Sequence, residues 1–212
     1  MTFDAPLRRR AALVPADLPH ALDSTGRRVA IMYVEPHGAL GRALDRRARS
    51  NLGAEVVGDL ERISFPPIEL SVPEAAAWCE HVLSALGATE QTTPLSSVSR
   101  RAIAYIEAAI DGMPQLAEAA RRVGMSPSRL THVFSREVGI PFRRFVLWTR
   151  IKRAVAATQA GDDLTQAAVA AGFADSAHLS RTFRAMFGLS PSLVLPLAEL
   201  IGSLWTDPHD TR

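Results

Sequence analysis

Two short segments of the chain group side chains that can form hydrogen bonds with the edges of nucleic-acid bases. Their members carry hydroxyl, imidazole or guanidinium groups, apart from one alanine: Ser128, Arg129, Thr131, His132, Ser176, Ala177, His178 and Arg181. Guanidinium groups suit paired hydrogen bonds with guanine and with phosphate. A catalytic or metal-binding use of His132 and His178 is not favoured, because neither lies in a metal-ligand spacing pattern. The sequence predicts no catalytic residue, no metal ligand and no cofactor.

Positive charge is concentrated in the same region. The formal net charge of the chain is only +2, yet 13 basic and 7 acidic residues lie between Arg100 and Arg184. All of these basic residues except Lys152 are arginines. This uneven distribution of charge predicts an anionic partner for the C-terminal half. The alternative is a genome-wide bias toward arginine codons, and an internal repeat weighs against it.

The repeat spans most of the C-terminal half and has to be interpreted before any single motif. Each copy consists of an apolar segment with helical spacing, a glycine, a short turn rich in Ser and Asp, and a second helical segment. Equivalent residues are 48 or 49 positions apart: Leu116 and Leu164, Ala120 and Ala168, Gly124 and Gly172, Leu130 and Leu179, Phe134 and Phe183, Gly139 and Gly188. The pattern predicts two helix-turn-helix units.

Local signals predict how the helices of these units begin and how the units are joined. Ser126 and Asp175 are good N-caps for the second helix of each unit. Between the units, helical spacing predicts a long helix over residues 142–159, with Phe145 and Val155 facing inward. That helix would set the distance between the units.

The N-terminal part of the chain has a different pattern. β-prone runs predict strands at residues 11–14 and 28–34, and helical spacing predicts helices at 38–49 and 73–86. The predicted fold is mainly α. It comprises a smaller α+β region over 1–86, a polar linker over 87–97, an all-α domain of two helix-turn-helix units over 98–195, and a tail over 196–212.

The second unit carries the most specific motif of the chain, which runs from Ala168 to Pro191 as AVAAGFADSAHLSRTFRAMFGLSP. Together with the rest of residues 98–192, it resembles the DNA-binding domain of the AraC/XylS family of bacterial transcription regulators. Two departures bear on packing. Ser192-Leu193-Val194 stands where the family usually continues toward Tyr-Arg, and Ala167 replaces a usually bulky residue.

The resemblance implies which residues contact DNA. Its base-reading positions fall on Ser128, Thr131, His132, Ser176, Ala177 and Arg181. Arg129 and His178 join them because the helical wheel leaves both outside the core. Arg181 is the expected guanine contact, with a solvated or phosphate-bound arginine as the alternative. Phosphate contacts are expected from Arg143, Arg144, Arg150 and Arg184, among which Arg150 is the first candidate for a structural role instead.

The function implied by the resemblance is sequence-specific regulation of transcription rather than catalysis. Two recognition helices would enter successive major grooves of a double-stranded promoter site. Further implied partners are RNA polymerase and a second copy of the chain, bound through residues 38–86. The expected location is the cytoplasm, without membrane contact. The effector and the choice between activation and repression stay open.

Two other functional classes fit parts of the sequence. The arginine content would also suit a nonspecific nucleoid-type DNA binder. Residues 14–22 and 28–34 weakly resemble the last strands of a cupin-type effector domain, which would suit small-molecule binding or an enzyme. The His-x-His cluster of cupins is missing, so His20, Glu35 and His37 are predicted to be structural.

Overall fold

The structure is a computed structural model that describes residues 10–16, 18, 20–23, 25–51, 60–67, 69, 71–87 and 94–194. The predicted tail, and residues 88–93 of the predicted linker, lie outside the described residues. The chain divides into two compact units, residues 1–94 and 95–212. Within the described residues the regular elements are helices: α1 Ala39–Asn51, α2 Val72–Ala85, α3 Ser97–Ala108, α4 Leu116–Val123, α5 Pro127–Val138, α6 Phe142–Gln159, α7 Leu164–Ala170, α8 Ser176–Phe187 and α9 Pro191–Val194.

The N-terminal unit is organised around α1 and α2. Leu44 of α1 is buried in one cluster with Val82 and Leu86, and Met32 and Val34 pack against this cluster from outside the helices. The predicted helices at 38–49 and 73–86 are therefore confirmed to within one or two residues at each end. Their apolar stripes face each other, as helical spacing requires.

The strands predicted at 11–14 and 28–34 are absent: both runs are described, and neither contains a strand. The side chains of the second run nevertheless differ in exposure: Met32 and Val34 face the helical cluster, while Val29 and Ile31 are 43% and 48% exposed. Helices, rather than a neighbouring strand, cover the inner side chains. The α+β prediction for the N-terminal region is corrected to a helical one within the described residues.

The C-terminal unit contains the repeat as predicted. Helices α3, α4 and α5 pack on one another, and α7 and α8 do so in the second copy. At equivalent positions Leu130 and Leu179 are buried, as are Phe134 and Phe183. The Oγ of Ser126 accepts a hydrogen bond from the Arg129 amide at the start of α5, and Asp175 does the same for His178 at the start of α8.

Helix α6 belongs to both copies. Its first turns meet the first unit, where the ring of Phe134 lies edge-on to Phe142 at 5.6 Å and to Phe145 at 5.5 Å. Further along, Ile151 and Val155 are part of the core formed with α7 and α8. The long helix is confirmed at its predicted bounds, with the predicted residues facing inward.

The turn glycines of the two copies give a first testable prediction. Gly124 and Gly172 both have positive φ, 73° and 81°, so alanine at either position should cost about 1–2 kcal/mol of unfolding free energy through backbone strain. A Cβ at Gly124 would meet nothing within 4 Å, whereas one at Gly172 would lie 3.1 Å from Arg150 Nε. We expect Gly172→Ala to be clearly the more destabilising of the two in urea unfolding. Equal losses would contradict the packing around Gly172.

Candidate nucleic-acid interface

The outer face of α5 carries the first set of predicted contact residues. Leu130, Phe134 and Val138 are buried, which leaves Ser128, Arg129 and His132 exposed. Thr131 is half-buried, and its Oγ1 donates to the carbonyl of Pro127 at 2.9 Å. Its methyl group is therefore the better candidate for contact with a base, since the hydroxyl proton is already used within the helix.

The outer face of α8 carries the second set. Ala177, Arg181 and Arg184 are exposed, and Ser176 is half-buried. His178 is also half-buried, with its ring edge-on to Phe173 at 5.2 Å. The His178 imidazole therefore packs partly against the core residue Phe173, and it lies at the edge of the outer face of α8.

The two faces use equivalent positions of the repeat. The 49-residue offset that relates Leu130 to Leu179 also relates Ser128 to Ala177 and His132 to Arg181. Because the buried residues beneath them match, the two helices present the same positions outward with different chemistry.

Four arginines were predicted to contact phosphate, and three of them are exposed. Arg143 and Arg144 lie in the first turn of α6, and Arg184 lies in the last turn of α8. Arg150 is different, because it is 9% exposed and its Nη2 donates to the carbonyl of Gly112 at 2.7 Å. Burial lowers the pKa of its guanidinium. Burial and the hydrogen bond to Gly112 favour the structural role that was the alternative for Arg150, since its charge is directed into the protein.

One candidate residue was missed by sequence reasoning. Arg136 lies four residues after His132 on α5, and its side chain is 75% exposed, with a loose contact of 3.8 Å to Glu137. The i, i+4 spacing from His132 was a sufficient signal for it. Arg136 therefore extends the polar outer row of α5 by one turn.

The arginines of α4 are held in a local ion-pair cluster. Glu118 accepts hydrogen bonds from Arg121 at 2.8 Å and from Arg122 at 2.7 Å. These hydrogen bonds lower the pKa of the Glu118 carboxyl to about 2. Glu118 therefore offsets part of the positive charge of α4, whereas Arg129 and Arg181 form no ion pair within the described part of the chain.

Glu137 fixes the last turn of α5 to the start of α3. Its Oε2 accepts from the hydroxyls of Ser96 at 2.6 Å and Ser99 at 2.7 Å, and from the Ser96 amide at 3.2 Å. Burial alone would raise the pKa of Glu137, but these hydrogen bonds outweigh it and the pKa is lowered. The carboxylate is therefore a stabilising link between α5 and the segment where the C-terminal unit begins.

This link predicts a pH-dependent contribution to stability. Because the pKa of Glu137 is lower in the folded state, its contribution is complete above the ordinary value of 4.5 and is lost as pH falls through the folded value. Glu137→Gln should lower the unfolding free energy at neutral pH by roughly 1–2 kcal/mol. The deficit should shrink in urea titrations as the pH drops from about 5 to about 3. A loss of unfolding free energy that does not change with pH would contradict a stabilising role of the ionised Glu137 carboxylate. Adding Ser99→Ala to Glu137→Gln should leave the pH dependence of the unfolding free energy as it is in the Glu137→Gln single variant.

Two further features of the described residues concern metal binding and membrane insertion. In the described ranges, no group of three or more His, Cys, Asp and Glu side chains is placed to hold a metal ion. No described helix is both long enough and apolar enough to cross a membrane.

Comparison with known proteins gives a match over the C-terminal unit. Residues 119–195 match the model of a helix-turn-helix domain family. The chain is similar to a transcriptional regulator with an AraC-type DNA-binding domain from Chromobacterium violaceum, at 25% identity over 48% of this chain and 91% of that one, with a TM-score of 0.45.

Two other solved structures are also similar to this chain. One is a DNA-binding transcriptional dual regulator from Escherichia coli K-12, at 23% identity over 51% of this chain and 98% of that one, with a TM-score of 0.43. The other is the C-terminal domain of AraT, a response regulator from Geobacillus stearothermophilus, at 22% identity over 56% of this chain and 98% of that one, with a TM-score of 0.43. A comparison with curated protein sequences finds no match.

Proposed function

We propose that the protein is a DNA-binding transcription regulator of the AraC type, and that it reads one specific promoter site with two recognition helices, α5 and α8. Residues 119–195, which match a helix-turn-helix domain family, include both helices. The supporting observation is the pair of outward faces at equivalent positions of the repeat. Beneath each face, Leu and Phe are buried at equivalent positions of the repeat. The polar residues above them are therefore left to contact a ligand.

The geometry of duplex DNA suits this use of the two helices. A major groove admits one α-helix and displays a distinct pattern of donors and acceptors for each base pair. Two recognition helices about one helical turn apart, ~34 Å, would meet the same side of one duplex. Because His132 and Arg181 occupy equivalent positions, the two half-sites would differ, and one chain would read an asymmetric site. Arg181 is the proposed guanine contact.

The remaining proposed contacts position the protein on the backbone. Arg143, Arg144 and Arg184 are the proposed phosphate contacts, and Arg136 joins them. The excess of basic residues between Arg100 and Arg184 would release counterions on binding and make the affinity fall steeply with salt. The amino ends of α5 and α8 add backbone donors for phosphate oxygens.

The roles of the other parts of the chain are proposals of the same kind. We propose that residues 1–86 form a regulatory region, joined to residues 98–195 by the linker 87–97, and that residues 38–86 mediate homodimerisation. The packed pair α1 and α2 supports a folded module there. RNA polymerase and an effector are the further proposed partners, and the cytoplasm is the proposed location.

The test is selection of bound sequences from random duplex DNA by the full chain, followed by titration at one fixed salt concentration. We expect an enriched site of roughly 15–20 base pairs with two submotifs about one turn apart, bound at least ~10³-fold more tightly than a scrambled duplex. Equal affinity for both duplexes, with a steep dependence on salt, would instead support a nonspecific DNA binder.

A further inference from the structure

The side chain of Arg150 connects two parts of the C-terminal unit that lie far apart in sequence. Its guanidinium donates from Nη2 to the carbonyl of Gly112, in the loop between α3 and α4. On the other side it lies against Gly172, in the turn between α7 and α8: a Cβ built on Gly172 would be 3.1 Å from Nε and 3.3 Å from Cζ. One side chain of α6 therefore contacts both helix-turn-helix units.

A backbone carbonyl belongs to the same junction. The Cβ position of Gly172 is also 3.3 Å from the carbonyl oxygen of Ile110. The turn of the second unit therefore approaches the end of the α3 segment directly, beside the guanidinium. Carbonyl groups that follow a helix carry partial negative charge and favour a cation. This explains why a charged side chain, rather than an aliphatic one, suits the position.

A second contact reaches the same loop from α6. Arg153 lies one turn after Arg150, and its Nη1 donates to Asp111 at 2.5 Å. Both side chains of this ion pair are well exposed, at 40% and 76%, and exposed ion pairs contribute little to stability. Arg153 is therefore a matched control for Arg150: it has the same charge, lies on the same helix and contacts the same loop, and its ion pair within the described residues is with Asp111 of that loop.

The mechanical consequence concerns the angle between the units. Helix α6 alone is a single connection, about which the second unit could rotate relative to the first. Arg150 adds a cross-connection between the α3–α4 loop and the α7–α8 turn, away from the contacts that α5 makes with α6. The Nε of Arg150 is buried and has no hydrogen-bond partner within the described residues. The guanidinium is thus buried between the α3–α4 loop and the α7–α8 turn although its Nε donor is unsatisfied.

We propose that Arg150 is a positioning residue that fixes the orientation of the second helix-turn-helix unit relative to the first, and thereby sets the spacing between half-sites that the protein accepts. The inference rests on the proposed reading of one site by α5 and α8. Two linked binding modules gain affinity from each other only when their geometry matches the span between their sites. A junction held at one angle selects one spacer length, and a loosened junction accepts several.

The test uses the full chain and duplexes built from the selected site. One set keeps both submotifs and varies the spacer by one base pair in each direction, and a second set retains only one submotif. Wild type should prefer the selected spacer by roughly tenfold or more. Arg150→Met, which keeps the volume but not the charge, should reduce this preference to within about twofold while changing binding to each single submotif by less than about twofold.

The ratio of two affinities measured with one preparation does not depend on the fraction of folded protein. A variant that merely unfolds in part therefore leaves the spacer preference unchanged. Arg150→Lys keeps one charged donor and should give an intermediate preference, and Arg153→Gln should keep the wild-type value. Gly172→Ala acts on the junction without replacing Arg150 and should flatten the preference, whereas Gly124→Ala, with open space around its Cβ, should not.

The outcomes separate the two proposals. If Arg150→Met weakens binding to every duplex by one common factor and keeps the spacer preference, Arg150 is only a core residue and the inference is overturned. If wild type itself selects a single submotif, or no site, the two-helix reading fails before any variant is measured, and the inference fails with it. If Arg153→Gln flattens the preference as much as Arg150→Met, the loop contact, not the cross-connection, is responsible.

Discussion

Phe134→Ala should lower the free energy of unfolding of the C-terminal unit by about 3–5 kcal/mol, the range observed when a buried aromatic side chain is removed from a core. Phe134 is fully buried and lies edge-on to both Phe142 and Phe145, at 5.6 and 5.5 Å. The substitution therefore leaves a cavity where α5 meets the first turns of α6. It also removes two aromatic pairs, each of which contributes about 0.5–1.5 kcal/mol beyond burial.

Urea unfolding followed by circular dichroism would measure this loss. A small domain is stable by only about 5–15 kcal/mol in total, so Phe134→Leu serves as a milder variant that stays folded. Met113→Ala, at a side chain 76% exposed, should change the stability by less than about 0.5 kcal/mol and is the control. A loss below about 1 kcal/mol for Phe134→Ala would mean that α5 does not pack on α6 as described.

The repeat could be predicted from sequence because its signals are local. Leu130 and Phe134 are four residues apart on one helix face, and Gly124 and Ser126 end one helix and begin the next within three residues. Such signals depend on helical periodicity and on capping rather than on distant neighbours. The same reasoning correctly placed Phe145 and Val155 on the inner face of α6.

Sequence reasoning was weakest where the decisive partner is distant in sequence. Residues 28–34 are a β-prone run, but a strand forms only beside another strand, and here Met32 and Val34 meet helices. Arg150 is of the same residue type as the expected phosphate contacts, but the direction of its side chain depends on Gly112 and Gly172, 38 and 22 positions away. Neither partner could be identified from spacing along one helix.

Arg181→Ala should weaken binding to the selected site by about 1–3 kcal/mol, or roughly 5- to 150-fold. Arg181 is exposed on α8 above the buried Leu179 and Phe183, so its removal leaves the core intact. The loss should fall on one submotif only: base preference there should relax, and preference in the other submotif should stay. His132→Ala, at the equivalent position of α5, should have the reverse pattern. Loss of preference in both submotifs would mean that α5 and α8 do not read separate half-sites.

The Arg181→Lys variant and the dependence on salt decide between guanine and phosphate as the partner of Arg181. A phosphate contact acts through charge, so lysine should restore the affinity, and alanine should reduce the slope of log Kd against log salt by about 1. A guanine contact acts through the two parallel donors of the guanidinium fork, which an ammonium group cannot reproduce. Lysine should then behave like alanine in base preference while keeping the salt slope of wild type. We expect the second pattern, because Arg181 lies at the repeat position of His132, in the middle of the outward face, whereas Arg184 lies toward the end of α8, where it can meet the backbone.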